Sequence, residues 1–175
     1  MAGLEPAIHA MTTGRPASPL SWGEVGAPRA PGEGRPHLHT VRVYYEDTDA
    51  AGIVYHANYL RFAERARTEA LRDLGIPHAE MLRDCNLMFV VRRVKVDYLR
   101  PARLDDSLEI ATQLGTMRAG SVVLHQTVRG PNGPCANIEV ELACVPPNGT
   151  WPARIPQRWR EALHKLGVGS SGPGS

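Results

Sequence analysis

Cysteine is scarce in this chain of 175 residues, and what there is does not pair. Cys85, Cys135 and Cys144 are an odd number and contain no C-x-x-C spacing. A disulfide framework and a zinc-finger site are therefore not expected, and free thiols in a reducing cytoplasm are. Long apolar runs are missing too. No stretch approaches the roughly 20 residues that a membrane span needs. Excess charge of one sign is also lacking, since 20 Lys and Arg stand against 18 Asp and Glu for a net charge of +2. That balance gives no electrostatic footprint for nucleic acid. Several catalytic motifs are absent. No G-x-S-x-G elbow surrounds Ser121 or any other serine. There is no H-E-x-x-H, no phosphate-binding G-x-x-x-x-G-K-[ST] and no dinucleotide fingerprint.

Alanine, glycine and proline dominate residues 1–37, with few large apolar side chains and no continuous apolar core of the kind a secretory signal carries. This segment reads as a disordered extension, with a transit-like or partner-binding role as the alternative. Residues 38–146 are long enough to bury a core as one domain. Residues 147–175 form a C-terminal extension, with a short helix expected over 158–166 and a flexible end.

The chain is organised around residues 43–74. Val41, Val43 and Tyr45 alternate with Thr40, Arg42 and Tyr44, the period of a half-buried strand. Asp47, Thr48, Asp49 and Gly52 then break the pattern and suit a turn. From His56 the period becomes helical: Tyr59, Phe62, Ala63, Ala66, Ala70 and Leu74 share one stripe, and most charged residues lie opposite. Gly75 followed by Ile76 and Pro77 marks a stop. The stripe is rich in alanine, so the helix axis can sit close against a sheet.

Four strand-like stretches follow. Met88, Val90, Val94, Val96 and Tyr98 share a parity interrupted by Arg92. Leu108, Ile110, Thr112 and Leu114 alternate with polar neighbours, as do Val122, Leu124, Gln126 and Val128, and then Ala136, Ile138, Val140, Leu142 and Cys144. Pro131 to Pro134 is a strong turn signal. One strand, one long helix and four strands with tight turns make an α+β pattern, in which an antiparallel sheet of about five strands wraps around the helix.

The chemistry is expected where the turn meets the helix. A helix start presents unpaired backbone N–H groups and partial positive charge, which can hold a carbonyl oxygen that gains negative charge during attack. Asp49 lies on the loop entering the helix and can be folded back beside the same carbonyl. Asp49 can equally serve as a turn or cap residue, and His56 as a surface histidine. Asp47 reads as structural. Asp47 and Asp49 together are too few ligands for a metal. Arg92, Arg93, Lys95 and Arg118 could hold phosphates, or could form a solvated face.

The run YYEDTDAAGIVYHANYLRFAERARTE at residues 44–69 resembles the signature of the 4-hydroxybenzoyl-CoA thioesterase family of hotdog-fold proteins. It is most similar to the YbgC-type acyl-CoA thioesterases associated with the Tol-Pal system. The similarity continues through FVVRRVKVDYLRPARLDDSLEI at residues 89–110 and covers about residues 39–146. The resemblance implies a hotdog fold, hydrolysis of an acyl-CoA thioester, and no metal or other cofactor. It assigns the catalytic carboxylate to Asp49, acting as nucleophile or as general base. It places His56 at the site through its ring or its backbone N–H, with Tyr45, Gly52 and Tyr55 beside it and Arg92 and Arg93 as candidates for the CoA phosphates. Tyr45 is expected to pack as well as to line the site. A homodimer or homotetramer is implied, with sites at the seam between sheets. The alternative reading is a hotdog protein that binds an acyl carrier protein or a larger complex and hydrolyses weakly.

Overall fold

The computed structural model describes residues 35–149 and 151–167. The N-terminal extension as far as residue 34, and the end from residue 168, lie outside the described residues. The elements in order are β1 (His37–Arg42), a single 3-10 turn (Tyr45–Asp47), α1 (His56–Asp73), α2 (His78–Cys85), β2 (Met88–Tyr98), β3 (Ser107–Met117), β4 (Ser121–Gly130), β5 (Gly133–Val145) and α3 (Gln157–Leu163). The five strands form one antiparallel sheet in the order β1-β3-β4-β5-β2.

Helix α1 buries the expected stripe. Tyr59, Phe62, Ala63, Ala66, Ala70 and Leu71 are all buried, and Phe62, Ala63 and Ala66 are fully so. Small side chains let the helix backbone come within hydrogen-bonding reach of the sheet. The buried Gln126 of β4 donates from its amide nitrogen to the Ala63 carbonyl at 2.9 Å and to Thr112 Oγ1 of β3 at 2.9 Å. Helix α1 ends in a Schellman motif. Gly75 takes φ +72°, its N–H donates to Arg72 O, and Ile76 N–H donates to Leu71 O. Ile76 then packs in the same cluster as Leu71.

Strands β3, β4 and β5 bury the residues that their alternation selects. Three features differ from the sequence reading. First, β1 stops at Arg42; Val43 is fully buried, but Tyr44 and Tyr45 leave the strand and turn outward. Second, β2 does not keep one parity. A register shift between Val91 and Arg93 puts an extra residue in the strand. Phe89 and Val91 therefore pair with Cys144 and Leu142, whereas Val94, Val96 and Tyr98 pair with Val140, Ile138 and Ala136. A bulge of one residue switches every side chain beyond it to the other face, so Met88 and Val90 do not share the core-facing side with Val94. Third, α2 stands where no helix was expected. It buries Met81 alone and ends on Asn86 in the left-handed region at φ +50°, so its eight residues carry too little apolar period to be read.

The core has two lobes along α1. One gathers Tyr59, Phe62, Ala63 and Ala66 with Leu108, Ile110, Val128 and Ile138. The other gathers Ala70, Leu71 and Met81 with Leu124, Val140 and Leu142, closed by Ile155, Trp159, Leu163 and Leu166 around α3. The two ends of the described chain meet: Arg35 and Leu166 form a parallel bridge, and Gly167 N–H donates to Arg35 O while Leu114 N–H donates to Gly167 O, both at 2.8 Å. Among the described residues no helix is long and apolar enough to cross a membrane.

The close seating of α1 makes a sharp expectation. Ala66→Leu inserts a branched side chain where no space exists and should lower stability by about 1–3 kcal/mol, read from urea unfolding. Arg65→Ala, at an exposed position one residue away, should stay within about 0.5 kcal/mol of the parent.

Candidate active site

The loop between β1 and α1 is a small hairpin. Thr48 and Val54 bridge antiparallel, Asp49 N–H donates to Ile53 O at 2.9 Å, and Gly52 N–H donates to Asp49 O at 2.9 Å. Gly52 takes φ +71°, which closes a three-residue turn with a left-handed last position. Asp49 is exposed at the head of this turn. Its Oδ1 accepts the Ala51 N–H at 2.8 Å and the Ile53 N–H at 3.4 Å. Oδ2 has no hydrogen bond among the described residues. The turn-stabilising role thus occupies one oxygen, and the other faces solvent from a carboxylate held in place.

Asp47 ties this hairpin to the helix. It is 4% exposed, and its Oδ2 accepts the Tyr44 N–H at 2.9 Å. Its carbonyl accepts the Tyr55 N–H and the Asn58 side-chain amide, each at 2.9 Å. Tyr55 is the N-cap residue of α1 and supplies no side-chain cap, and no acidic residue lies in the first turn. Asn58 N–H returns to Tyr55 O. The N–H groups of His56 and Ala57 find no acceptor among the described residues, so the positive end of the helix is open.

An aromatic wall stands beside it. The Tyr55 and His56 rings lie 4.3 Å apart, His56 meets Tyr98 edge-on at 6.4 Å, and Tyr59 meets Tyr98 at 5.6 Å. The Tyr98 hydroxyl donates to His56 O at 2.9 Å. Tyr59 accepts the Ala102 N–H at 2.9 Å, and burial pushes its phenol pKa up. Val54 N–H donates to Ala102 O, and Ile53 bridges to Arg103. The segment after β2 is thereby laced to the hairpin that carries Asp49.

Of the residues expected at the site, Asp49, Gly52, Tyr55 and His56 fall together. Tyr45 lies on the 3-10 turn that leads in, but its ring is 81% exposed. The packing half of its expected role does not hold, because the chain leaves the strand before reaching it. Arg92 and Arg93 are exposed on β2, and Arg92 pairs with Glu141 at 3.1 Å. Strand rise puts them about 17–20 Å from Tyr98, so within one chain they do not adjoin the hairpin. Lys95 lies on the same strand, 3.8 Å from Asp97, and Arg118 lies in the β3–β4 turn with its carbonyl accepting from Arg160. Tyr98, Tyr59 and Arg103 are neighbours of the site that the sequence reading did not single out.

Two of the three cysteines, Cys135 and Cys144, are poor nucleophiles. All three are free, and burial raises the Cys135 thiol and pushes Cys144 up to about 11. Among the described residues no three His, Cys, Asp or Glu side chains gather as metal ligands.

A sequence profile described as thioesterase-like superfamily matches residues 43–163. The acyl-CoA thioesterase YbgC of Haemophilus influenzae is 40% identical over 126 residues, covering 72% of this chain and 93% of that protein. The acyl-CoA thioester hydrolase YbgC of Escherichia coli O6:H1 is 46% identical over 118 residues, covering 67% of this chain and 87% of that protein. A probable thioesterase from Bartonella henselae superposes with a TM-score of 0.66 at 35% identity, covering 69% of this chain and 99% of that structure.

The hairpin geometry is testable without any assay of chemistry. A Cβ at Gly52 would meet nothing within 4 Å, so the cost of Gly52→Ala is the left-handed backbone alone. It should lower stability by about 1–2 kcal/mol, measured by urea unfolding, while Gly52→Asn, which tolerates that region, should cost less.

Proposed function

This chain belongs to the thioesterase-like superfamily, and from that premise we propose that it hydrolyses acyl-CoA thioesters to a free acid and CoA at the junction of the hairpin and α1. The observation that carries the reading is the meeting of two things: a carboxylate, Asp49, with one oxygen anchored and, among the described residues, one unbonded, and a helix start whose first N–H groups have no acceptor among those residues. The thioester carbonyl would lie against the His56 and Ala57 N–H groups, which favour the oxyanion over the ground-state carbonyl. The free oxygen of Asp49 either takes a proton from an attacking water or attacks the carbonyl carbon itself. By the first route water oxygen bonds to carbon, the C–S bond breaks and CoA leaves as the thiol. By the second Asp49 oxygen bonds to the carbonyl carbon, the C–S bond breaks and CoA leaves as thiolate, which takes a proton from water. Water then cleaves the mixed anhydride, releasing the acid and restoring the Asp49 carboxylate. Both routes need the same oriented oxygen.

The aromatic wall of Tyr55, His56 and Tyr98 would border the acyl or pantetheine portion. Arg93 makes no ion pair among the described residues, and Arg103 lies beside the hairpin; both are candidates for CoA phosphates, while Arg92 is engaged by Glu141. The three free thiols support a reducing cytoplasm. Association with the Tol-Pal system rests on the resemblance to the YbgC branch. Exposed cations on β2 would also suit an acidic acyl carrier protein as the donor of the acyl group. Tight binding of such a carrier without turnover of any acyl-CoA would favour that second reading.

Assembly is part of the proposal. Strand β2 is an edge strand, and Val91, Tyr98 and Leu99 on or just beyond it are about half exposed at 54%, 49% and 49%. Edges of this kind are ordinarily paired or covered, and pairing β2 with its copy about a two-fold axis gives a homodimer with two equivalent sites, or a homotetramer of such dimers.

Two measurements test this. In steady-state assays over an acyl-CoA panel, Asp49→Asn should lose about 100-fold or more in kcat with little change in unfolding stability, whereas Asp47→Asn should lose stability first. His56→Ala within about threefold of the parent, roughly 0.6 kcal/mol, would assign His56 a backbone role only. In light scattering, the full chain of 19.1 kDa should run as a dimer or larger. A monomer with undiminished turnover would rule out a shared site.

A further inference from the structure

An open groove of about 540 Å³ lies between the second half of α1, helix α2 and the first residues of β2. Its walls are mostly apolar, with Leu71, Phe89, Val122, Leu124 and Leu142 among them. Arg67 breaks that character. It stands only partly exposed in the groove wall, and its Nη1 donates to Gln126 Oε1 at 2.8 Å. Gln126 is itself buried, with its amide nitrogen already shared between Ala63 O and Thr112 Oγ1. The guanidinium is thus fixed from behind by a side chain that cannot turn away.

A guanidinium has five N–H donors, and Gln126 is the one acceptor recorded for it among the described residues. No carboxylate there lies within 4 Å of it. Burial lowers the Arg67 pKa, and Glu64, one turn earlier in the same wall, offsets only part of that. His78, on the α2 side, has its pKa lowered by burial and by the charge of Arg67, and an imidazole, neutral or cationic, supplies no counter-charge to a guanidinium. If satisfying Gln126 were the whole role, a neutral donor would serve. A cation with spare donors in an apolar groove is costly unless an anion meets it.

We propose that this groove receives the acyl tail of the substrate and that Arg67 selects a tail ending in a carboxylate, so that dicarboxylic acyl-CoA thioesters are preferred to plain fatty acyl-CoA thioesters of equal length. This rests on the thioesterase reading above. Helix rise places Arg67 about 16 Å from His56 along α1, and an extended chain advances about 1.2 Å per bond, so the tail is of medium length rather than short. The terminal carboxylate would take the bidentate face of the guanidinium, and the methylenes would cover the apolar wall.

The test compares kcat/KM of the full chain on dodecanedioyl-CoA with dodecanoyl-CoA, and on adipoyl-CoA with hexanoyl-CoA. The longer acid-ended thioester should be preferred by about 10-fold or more, the scale of a hydrogen bond to a charged group. The short pair, which cannot reach Arg67, should show no such preference. Arg67→Gln should bring the long-pair ratio to near one, and Arg67→Lys should keep part of it. The wild-type ratio needs no variant and stands even where Arg67→Gln fails to fold. Dodecanoyl-CoA turned over as well as dodecanedioyl-CoA, or a ratio that survives Arg67→Gln, would overturn the assignment and leave the thioesterase reading intact. No turnover of any thioester by the wild type would overturn that reading, and this one with it.

Discussion

The structure depends on how closely α1 can press against the sheet. Ala63, Ala66 and Ala70 keep the helix backbone near enough for Gln126 to reach its Ala63 carbonyl, and for Phe62 and Tyr59 to fill the space on either side. A carbonyl inside a helix is already paired, so the extra bond does not rescue an orphan. It fixes the helix at one height over β4. Because Gln126 also holds Thr112 and Arg67, the same residue sets the helix against two strands and sets a partly buried guanidinium into its groove.

That fixed helix gives the site its frame. The hairpin could adopt many orientations relative to the helix start if Asp47 did not bind both, taking the Tyr44 N–H on its carboxylate and the Tyr55 N–H and Asn58 amide on its carbonyl. The two aspartates therefore divide the work. The buried one orients the loop, and the exposed one presents an oxygen. Tyr98 completes the arrangement from the far edge of the sheet by holding the His56 carbonyl, so displacement of β2 would be felt at the start of the helix.

Much of this was legible in the chain, for physical reasons that can be stated residue by residue. Strands β3 to β5 were readable because each buries one uninterrupted parity, from Leu108 to Leu114, Val122 to Val128 and Ala136 to Cys144. Helix α1 was readable because its stripe and its Gly75 stop agree. The alternation at β2 misled because the bulge at Arg92 swaps faces without any change in composition, and α2 was missed because a helix that buries only Met81 leaves no period. At the candidate site, the proximity of Asp49, Gly52, Tyr55 and His56 was legible because they lie within eight residues of one another. Tyr98 was not, since its partner His56 is 42 residues away. Arg67 was not singled out from the sequence, since the partner that holds it, Gln126, lies 59 residues later.

The meeting of the two chain ends has a consequence for how the molecule is made. Arg35 is held by Gly167, and Gly167 is held in turn by Leu114 of β3, so the first strand cannot acquire its last restraint until the final described residue has been synthesised. During translation β1 emerges well before its partner β3, with α1, α2 and β2 between them. The contacts that finish the fold are thus among the most distant in sequence, and contacts of that kind slow folding. An emerging chain would hold an unfinished sheet, without the contacts at Arg35, until Leu166 and Gly167 had emerged.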